Sequence, residues 1–428
     1  MDNDVIRVGL LGCGNVGAAL VQILSAEGDA IAERTGLHLE VTRVAVRNTA
    51  KARGVDLPAE RFTHDGDSVV NDPDIDVIVE VIGGIEPARS FILDALKAGK
   101  PVISGNKELL ANVGAELFEA AHAAGRDLLF EAAVAGGIPL IRPLRESLAG
   151  EPITRVMGIV NGTTNYILTK MTDEGASYHD ALAEAQSLGF AERDPTADID
   201  GFDAAAKAAI IASIAFGVRV VAGDVYREGI SGITESDISF ARKLGYVIKL
   251  LAIVEKIGGA VAVRVHPTMV PMSHPLASVR DSFNAVFIEG DAVGELMFYG
   301  RGAGGPPSAS AVLGDLLDAA HNLRAGGAGR SPTLGRARIM PIDEVTSQFF
   351  LTMDVSDRPG VMHDVSGVTM RHAVSIRSMD QEPLGDNARL GFVFHSALER
   401  DMQATLQDLR ELPVVERLGS LMRVIGPE

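Results

Sequence analysis

Five carboxylates (Glu192, Asp194, Asp198, Asp200 and Asp203) crowd one short stretch, and a single cation, Lys207, follows four residues after the last of them. Pro195 and Gly201 lie among the acids, so the stretch is loop material, whereas the alanines around Lys207 favour a helix. On a helix Asp203 and Lys207 share a face. Ala208, Ala209, Ile210 and Ile211 come next, which predicts a largely buried helix and a lysine that needs a partner inside it. A desolvated lysine can serve as a proton donor. The same spacing also fits an ordinary ion pair on a solvated helix edge. Lys107 is a second candidate. With Ser104 and Asn106 it follows the apolar run beginning at Pro101, and ligands of open α/β sheets bind outside the carboxyl ends of strands. A solvated lysine at a helix start is the plainer alternative.

Those residues need elements to hold them. Residues 5–11 form an apolar β run that enters Gly12-Cys13-Gly14-Asn15-Val16-Gly17 and then a helix through about Ile31. This is G-x-G-x-x-G between a strand and a helix, where glycines let the backbone approach a pyrophosphate at the helix N-terminus; a purely structural tight turn is the alternative. The next strand ends at Arg47, where an NAD site usually carries an acid. Arg47, helped by Lys51 or Arg53, suits the 2′-phosphate of NADP, although an exposed basic cluster reads the same way. A strand from Asp127 to Glu131 leads into A-A-V-A-G-G-I-P, whose close glycines turn carbonyls outward, either as a tight turn or as donors to a ligand or a hard monovalent cation.

Beyond Gly150, a strand ends in Asn161-Gly162-Thr163-Thr164-Asn165, a polar pocket edge or a generous helix cap. Residues 248–256 read as helix or strand, and residues 284–291 and 294–300 as further strands of an open sheet. The loop Gly300 to Pro307 opens an amphipathic helix expected to pack back on the first domain. After a Gly-rich linker the tail reads strand, helix, strand, strand, helix, strand, which is the ferredoxin-like order. The expected fold class is therefore α/β and α+β: a Rossmann-type nucleotide-binding domain (1–135 plus about 301–325), an open-sheet substrate and dimerisation domain (136–300), a linker (326–347) and a C-terminal ferredoxin-like domain (348–428).

A chain of 428 residues with 46% hydrophobic residues can bury several cores, and its net charge of −18 argues against nucleic acid or an anionic membrane as main partner. The start M-D-N-D-V-I-R-V predicts no secretory signal, and the most apolar helix is too short to span a bilayer. The single cysteine, Cys13, excludes an internal disulfide and thiolate clusters and fits a reducing cytoplasm. The histidines show no metal-ligand spacing; His266 and His274 are expected beside Pro-rich turns as structural residues.

Several long blocks now combine: S-G-N-K-E-L-L-A, E-A-A-V-A-G-G-I-P, N-G-T-T-N-Y-I-L, L-G-F-A-E-R-D-P-T-A-D-I-D-G-F-D-A-A-A-K and Y-G-R-G-A-G-G-P-P. Together they resemble the homoserine dehydrogenase family over nearly the whole chain, and the tail, V-S-D-R-P-G-V-M, is similar to ACT regulatory domains. The resemblance implies a monofunctional enzyme that reduces L-aspartate 4-semialdehyde to L-homoserine with NADP or NAD, on the route to threonine and methionine. It implies Lys207 and Lys107 as catalytic residues, Gly189, Glu192, Asp198 and Asp203 around the substrate, and Gly12, Gly14, Asn15, Val16, Gly17, Arg47, Lys51, Ser104, Lys107 and Gly304 around the cofactor. A monovalent cation, Na+, would map to Glu131, Val134, Gly136 and Ile138, mainly through carbonyl oxygens. A homodimer or homotetramer and an L-threonine effector at the tail are further expectations. Phe190 and Arg193 depart from the family pattern, and Phe190 cannot donate a hydroxyl hydrogen bond. Another reductase of small semialdehydes or imines, and a silent amino-acid sensor, are the competing readings; retention of Lys207, Glu192 and Asp203 speaks against silence.

Overall fold

The computed structural model describes residues 5–426, and the chain divides into two compact units. The first unit comprises Met1–Thr154, Ala209–Asp224 and Ile288–Ala337. Its sheet has strands β1 (Val5–Leu11), β2 (His38–Ala45), β3 (Phe62–Thr63), β4 (Val77–Glu80), β5 (Val102–Ser104) and β6 (Leu128–Leu129) in the order β3-β2-β1-β4-β5-β6. Every neighbouring pair is parallel. Parallel strands are covered on both faces, which is why β1 and β4 read as continuous apolar runs rather than alternating ones. The order reverses between β1 and β4, and at such a switch point a crevice opens beyond the strand ends. Leu11 pairs with Ala45 on one side and Glu80 on the other, so the glycine turn after β1 leaves the sheet at that crevice.

Two helices complete this core. Asn15–Thr35 contributes Leu20 and Val21, and Gly305–Arg324 contributes Ala309, Val312, Leu316, Ala319 and Ala320 to one buried cluster with Val8 and Leu10 of β1. The second helix arrives from far along the chain.

The second unit comprises Arg155–Ala208, Val225–Phe287 and Arg338–Glu428. Its strands lie side by side in the order Phe283–Gly290, Ile153–Ile159, Tyr246–Ile257, Ala260–Pro271, Val415–Val424, Thr346–Ser356, Asn387–Leu398, Ile376–Leu384. Residues 248–256, open between helix and strand in the sequence, are strand. They pair along their whole length with Ala260–Pro271 across Gly258-Gly259, whose φ values of 53° and 82° suit a two-residue hairpin turn. His266 was expected beside a turn; it lies inside Ala260–Pro271 and is fully buried. Its Pro267 neighbour does not end the strand, because proline costs only the one ladder donor it lacks.

The last four strands and the helices Val361–Arg371 and Glu399–Arg410 form the tail in the expected ferredoxin-like order, around Phe349, Leu351, Phe392, Phe394, Met402 and Leu409. The tail is joined to the rest of its unit by main chain: Val415–Val424 runs parallel to Ala260–Pro271, with Thr268 opposite Arg423 and Met269 opposite Val424. Among the described residues, no helix is long and apolar enough to cross a membrane.

Candidate active site and nucleotide-binding turn

In the second unit the acidic loop ends in the helix Phe202–Phe216, which carries Asp203 and Lys207 on one face. Both are buried, with side chains 6% and 10% exposed, so the pair is not a surface ornament. Lys207 Nζ donates to Asp203 Oδ2 at 2.7 Å and to the Val160 carbonyl at 2.6 Å. Val160 follows the strand Ile153–Ile159 and precedes N-G-T-T-N. Asn161 then does two things. Its Oδ1 accepts from the Thr164 N–H at 2.9 Å and so caps the helix Gly162–Glu174, while its Nδ2 donates to Asp203 Oδ2 at 2.9 Å and Asp198 Oδ1 at 2.7 Å. The helix-cap reading of this block holds, and the capping side chain also reaches the two carboxylates. Burial pushes the Asp198 carboxyl above its ordinary range, opposed by the Asn161 hydrogen bond and reinforced by the charge of Asp203.

Asp198, Asp203 and Lys207 are therefore brought together. Glu192 is exposed on the loop before them, where its backbone carbonyl accepts from Gln186 Nε2 at 3.1 Å. Gly189 closes the preceding helix turn, its N–H donating to Gln186 O. Phe190, in contact with the Tyr166 ring at 5.0 Å, gives its carbonyl to Thr163 Oγ1 at 2.6 Å, so the loop is tied down through main chain rather than through a hydroxyl at position 190. Arg193 is exposed, and its carbonyl accepts from Gln186 Nε2.

In the first unit the three glycines of the turn play three different parts. A Cβ on Gly12 would lie 2.7 Å from the Val81 carbonyl, and one on Gly17 would lie 2.3 Å from the Gly12 carbonyl; a Cβ on Gly14 would meet nothing within 4 Å. The outer two allow chain to pack on chain, and the middle one leaves the helix start open. That start has no side-chain cap and no acid in its first turn, which leaves its N–H groups and positive dipole end available to an anion. Asn15 and Val16 are its first two residues. Gly305 lies against Asn15 O, where a Cβ would stand 2.9 Å away, so Gly304 and the start of Gly305–Arg324 border the same turn.

Arg47 and Lys51 are exposed on the loop after β2. Arg53 folds that loop, donating to Lys51 O and Asn48 O at 2.6 Å each. Ser104 is fully buried and donates to Glu80 Oε2 at 2.7 Å. Glu80 also accepts from the Ile82 N–H at 2.9 Å, and burial raises its carboxyl above the usual range against these bonds. Lys107 is exposed at the first position of the helix Lys107–Ala124, whose cap is Asn106. Glu80 was missed in the sequence; the available signal was an acid closing an otherwise apolar parallel strand next to the switch point.

Glu131 is also buried. Its Oε1 accepts from the Leu140 and Ile141 N–H groups at 2.5 and 2.7 Å, and its Oε2 from Arg142 N–H at 2.8 Å. The carboxylate thus serves the start of the helix Ile141–Arg145. Between them Ala135 and Gly136 both have positive φ, 58° and 53°, in the segment that carries Val134 and Ile138. The donors on offer are hard oxygens, which fit a hard monovalent cation and not a thiolate-seeking metal. Asp315, also missed, accepts from Glu131 N–H at 2.7 Å and Arg142 Nη2 at 3.1 Å.

Comparison with known proteins finds matches to three stretches of the chain. Residues 12–131 match the family profile described as homoserine dehydrogenase, NAD binding domain; residues 139–317 match homoserine dehydrogenase; and residues 349–414 match the ACT domain. A homoserine dehydrogenase of Corynebacterium glutamicum is 51% identical, over 98% of this chain and 96% of that one. The crystal structure of a homoserine dehydrogenase from Thiobacillus denitrificans superposes with a TM-score of 0.93 at 40% identity, covering 99% and 98% of the two chains. A hyperthermophilic archaeal homoserine dehydrogenase in complex with NADPH gives 0.63 at 29% identity over 74% of this chain and 98% of its own.

Proposed function

The chain belongs to the homoserine dehydrogenase family, and from that premise we propose how its residues divide the work. It is an NAD(P)-dependent oxidoreductase that interconverts L-aspartate 4-semialdehyde and L-homoserine in threonine and methionine biosynthesis. When bound, the nicotinamide supplies or takes the hydride. Lys207 gives a proton to the aldehyde oxygen on reduction and recovers it on oxidation, and the same cation stabilises the alkoxide as it forms. The observation that carries this reading is the pair of bonds from Lys207 to Asp203 and to the Val160 carbonyl. They use two of the three N–H donors of an ammonium and fix the direction of the third.

Asp198 and Asp203, with Glu192 and Gly189 on the same loop, hold the substrate ammonium by charge-assisted hydrogen bonds. Lys107 serves the carbonyl oxygen or the nicotinamide side. The pyrophosphate goes to the Gly12-to-Gly17 turn, Asn15 and Val16 included, with Gly304 and Ser104 in support; Arg47 and Lys51 take the NADP 2′-phosphate. Na+ goes to Glu131, Val134, Gly136 and Ile138. L-Threonine as effector of the tail, a homodimer or homotetramer, and a cytoplasmic location complete the reading; the ACT match supports amino-acid regulation.

The test is NADPH oxidation with aspartate semialdehyde, alongside NADH and with threonine added. Lys207→Ala is expected to lower turnover by about 10²-fold or more with cofactor affinity near wild type. An equal loss of NADPH binding would make Lys207 structural. Turnover as fast with NADH would remove the role given to Arg47.

A further inference from the structure

A strap of five residues, Tyr226 to Ile230, holds the acidic loop from below. The Arg227 guanidinium lies 3.7 Å from the centre of the Phe202 ring, next to Asp203. Gly229 is pressed on the other end of the loop, where a Cβ would stand 2.3 Å from the Ile199 carbonyl and 2.7 Å from Asp200 Cα. Ile230 N–H donates to Ile199 O at 2.8 Å, one residue beyond Asp198. Between these grips, Glu228 N–H donates to Val265 O at 2.7 Å, and Gly201 sits under the Glu228 carbonyl. Any movement of Glu228 must be felt at Asp198 and Asp203, because packed backbone leaves no slack.

The strap meets the sheet through the two-residue strand Tyr226–Arg227 and the Glu228 N–H. The side chain of Glu228 is held by the tail. Arg423 is fully buried; its Nη1 donates to Glu228 Oε1, and its Nε and Nη2 donate to the two oxygens of Glu399. Tyr226 Oη donates to the same Glu228 oxygen, and the guanidinium stands 5.5 Å from the Tyr226 ring centre. A guanidinium forked between two carboxylates has one geometry, and separating it from either leaves an uncompensated buried charge.

We propose that Arg423, in the C-terminal domain, is a positioning residue for the substrate-binding acids, acting through Glu228 and the strap. It rests on the assignment of Asp198 and Asp203 to the substrate. The acidic loop is then held in register by a side chain more than two hundred residues away, and any ligand that shifts the Val415–Val424 strand shifts KM for substrate before it touches the cofactor.

The full-length enzyme tests this with Glu228→Gln, which keeps the hydrogen-bonding shape and removes the charge, with Arg423→Lys, and with their double variant. Arg227→Gln, at the exposed grip on Phe202, perturbs the same loop without touching the buried charges. Each single variant is expected to raise KM for homoserine about fivefold or more while kcat and the NADP dissociation constant stay within about twofold, and the double variant should be no worse than the worse single one. Values of KM near wild type in Glu228→Gln and Arg227→Gln, or strictly additive effects in the double variant, overturn the link. Asp203→Asn is the comparator. If it leaves KM unchanged, the substrate assignment has failed; if it raises KM and the strap variants do not, only the link has failed.

Discussion

Buried between the Glu131 amide and the Arg142 guanidinium, the Asp315 carboxyl is pushed up to about 7, burial being the main cause. An unfolded aspartate ionises near 3.9, so between about pH 4 and pH 7 the unfolded chain releases a proton that the folded chain keeps. Fewer protons on the unfolded state mean that stability falls as pH rises through that window; the contribution is fully present below it and lost above it. Asp315→Asn abolishes this dependence. Its melting temperature should gain on wild type as pH moves from about 5 to about 8, measured by thermal unfolding at each pH; a constant difference would show that Asp315 does not titrate there. Such residues were illegible in the sequence for a simple reason. Lys207 announced itself because its partner Asp203 is four residues away, whereas Asp315 meets Glu131, and Arg423 meets Glu228, across separations that spacing cannot encode.

At the level of elements, strand–turn–helix with three glycines was readable because each glycine answers a local steric demand, and the structure separates those demands. Gly17→Ala puts a methyl into the Gly12 carbonyl and should destabilise the enzyme by roughly 1–3 kcal/mol. Gly14→Ala meets open space; its melting temperature should stay near wild type while NADP affinity drops about tenfold or more, as the methyl occupies the anion's place. Titration of cofactor fluorescence beside a thermal melt distinguishes the two, and equal affinity in Gly14→Ala would remove the pyrophosphate from this turn. The strand Tyr246–Ile257 was less readable. A buried apolar run has no periodicity to report, and only its full-length pairing across Gly258-Gly259 decides for strand.

For the whole molecule, the order of the tail's elements was legible from its alternating pattern, but its fusion to the neighbouring sheet was not, since strand pairing across domains leaves no local mark. That fusion bears on truncation. A chain cut after Pro341 loses the Val415–Val424 strand and Arg423, baring a sheet edge beside Ala260–Pro271 and leaving Glu228 without its cation. The expected product is destabilised and aggregates, as light scattering and a melt would show, so insensitivity to threonine is better sought through point substitutions in the tail. A well-behaved monodisperse truncation with native KM would contradict both this and the role of Arg423. The first unit has a different dependence on distant chain. The last strand of its parallel sheet ends at Leu129, yet the helix that seals that core with Val312 and Leu316 begins at Gly305, 176 residues later. At roughly 5–20 residues per second, a ribosome needs about 9–35 s to cover that interval. Throughout that time the nascent nucleotide-binding sheet stands with one apolar flank uncovered, a client for chaperones until translation passes Leu323.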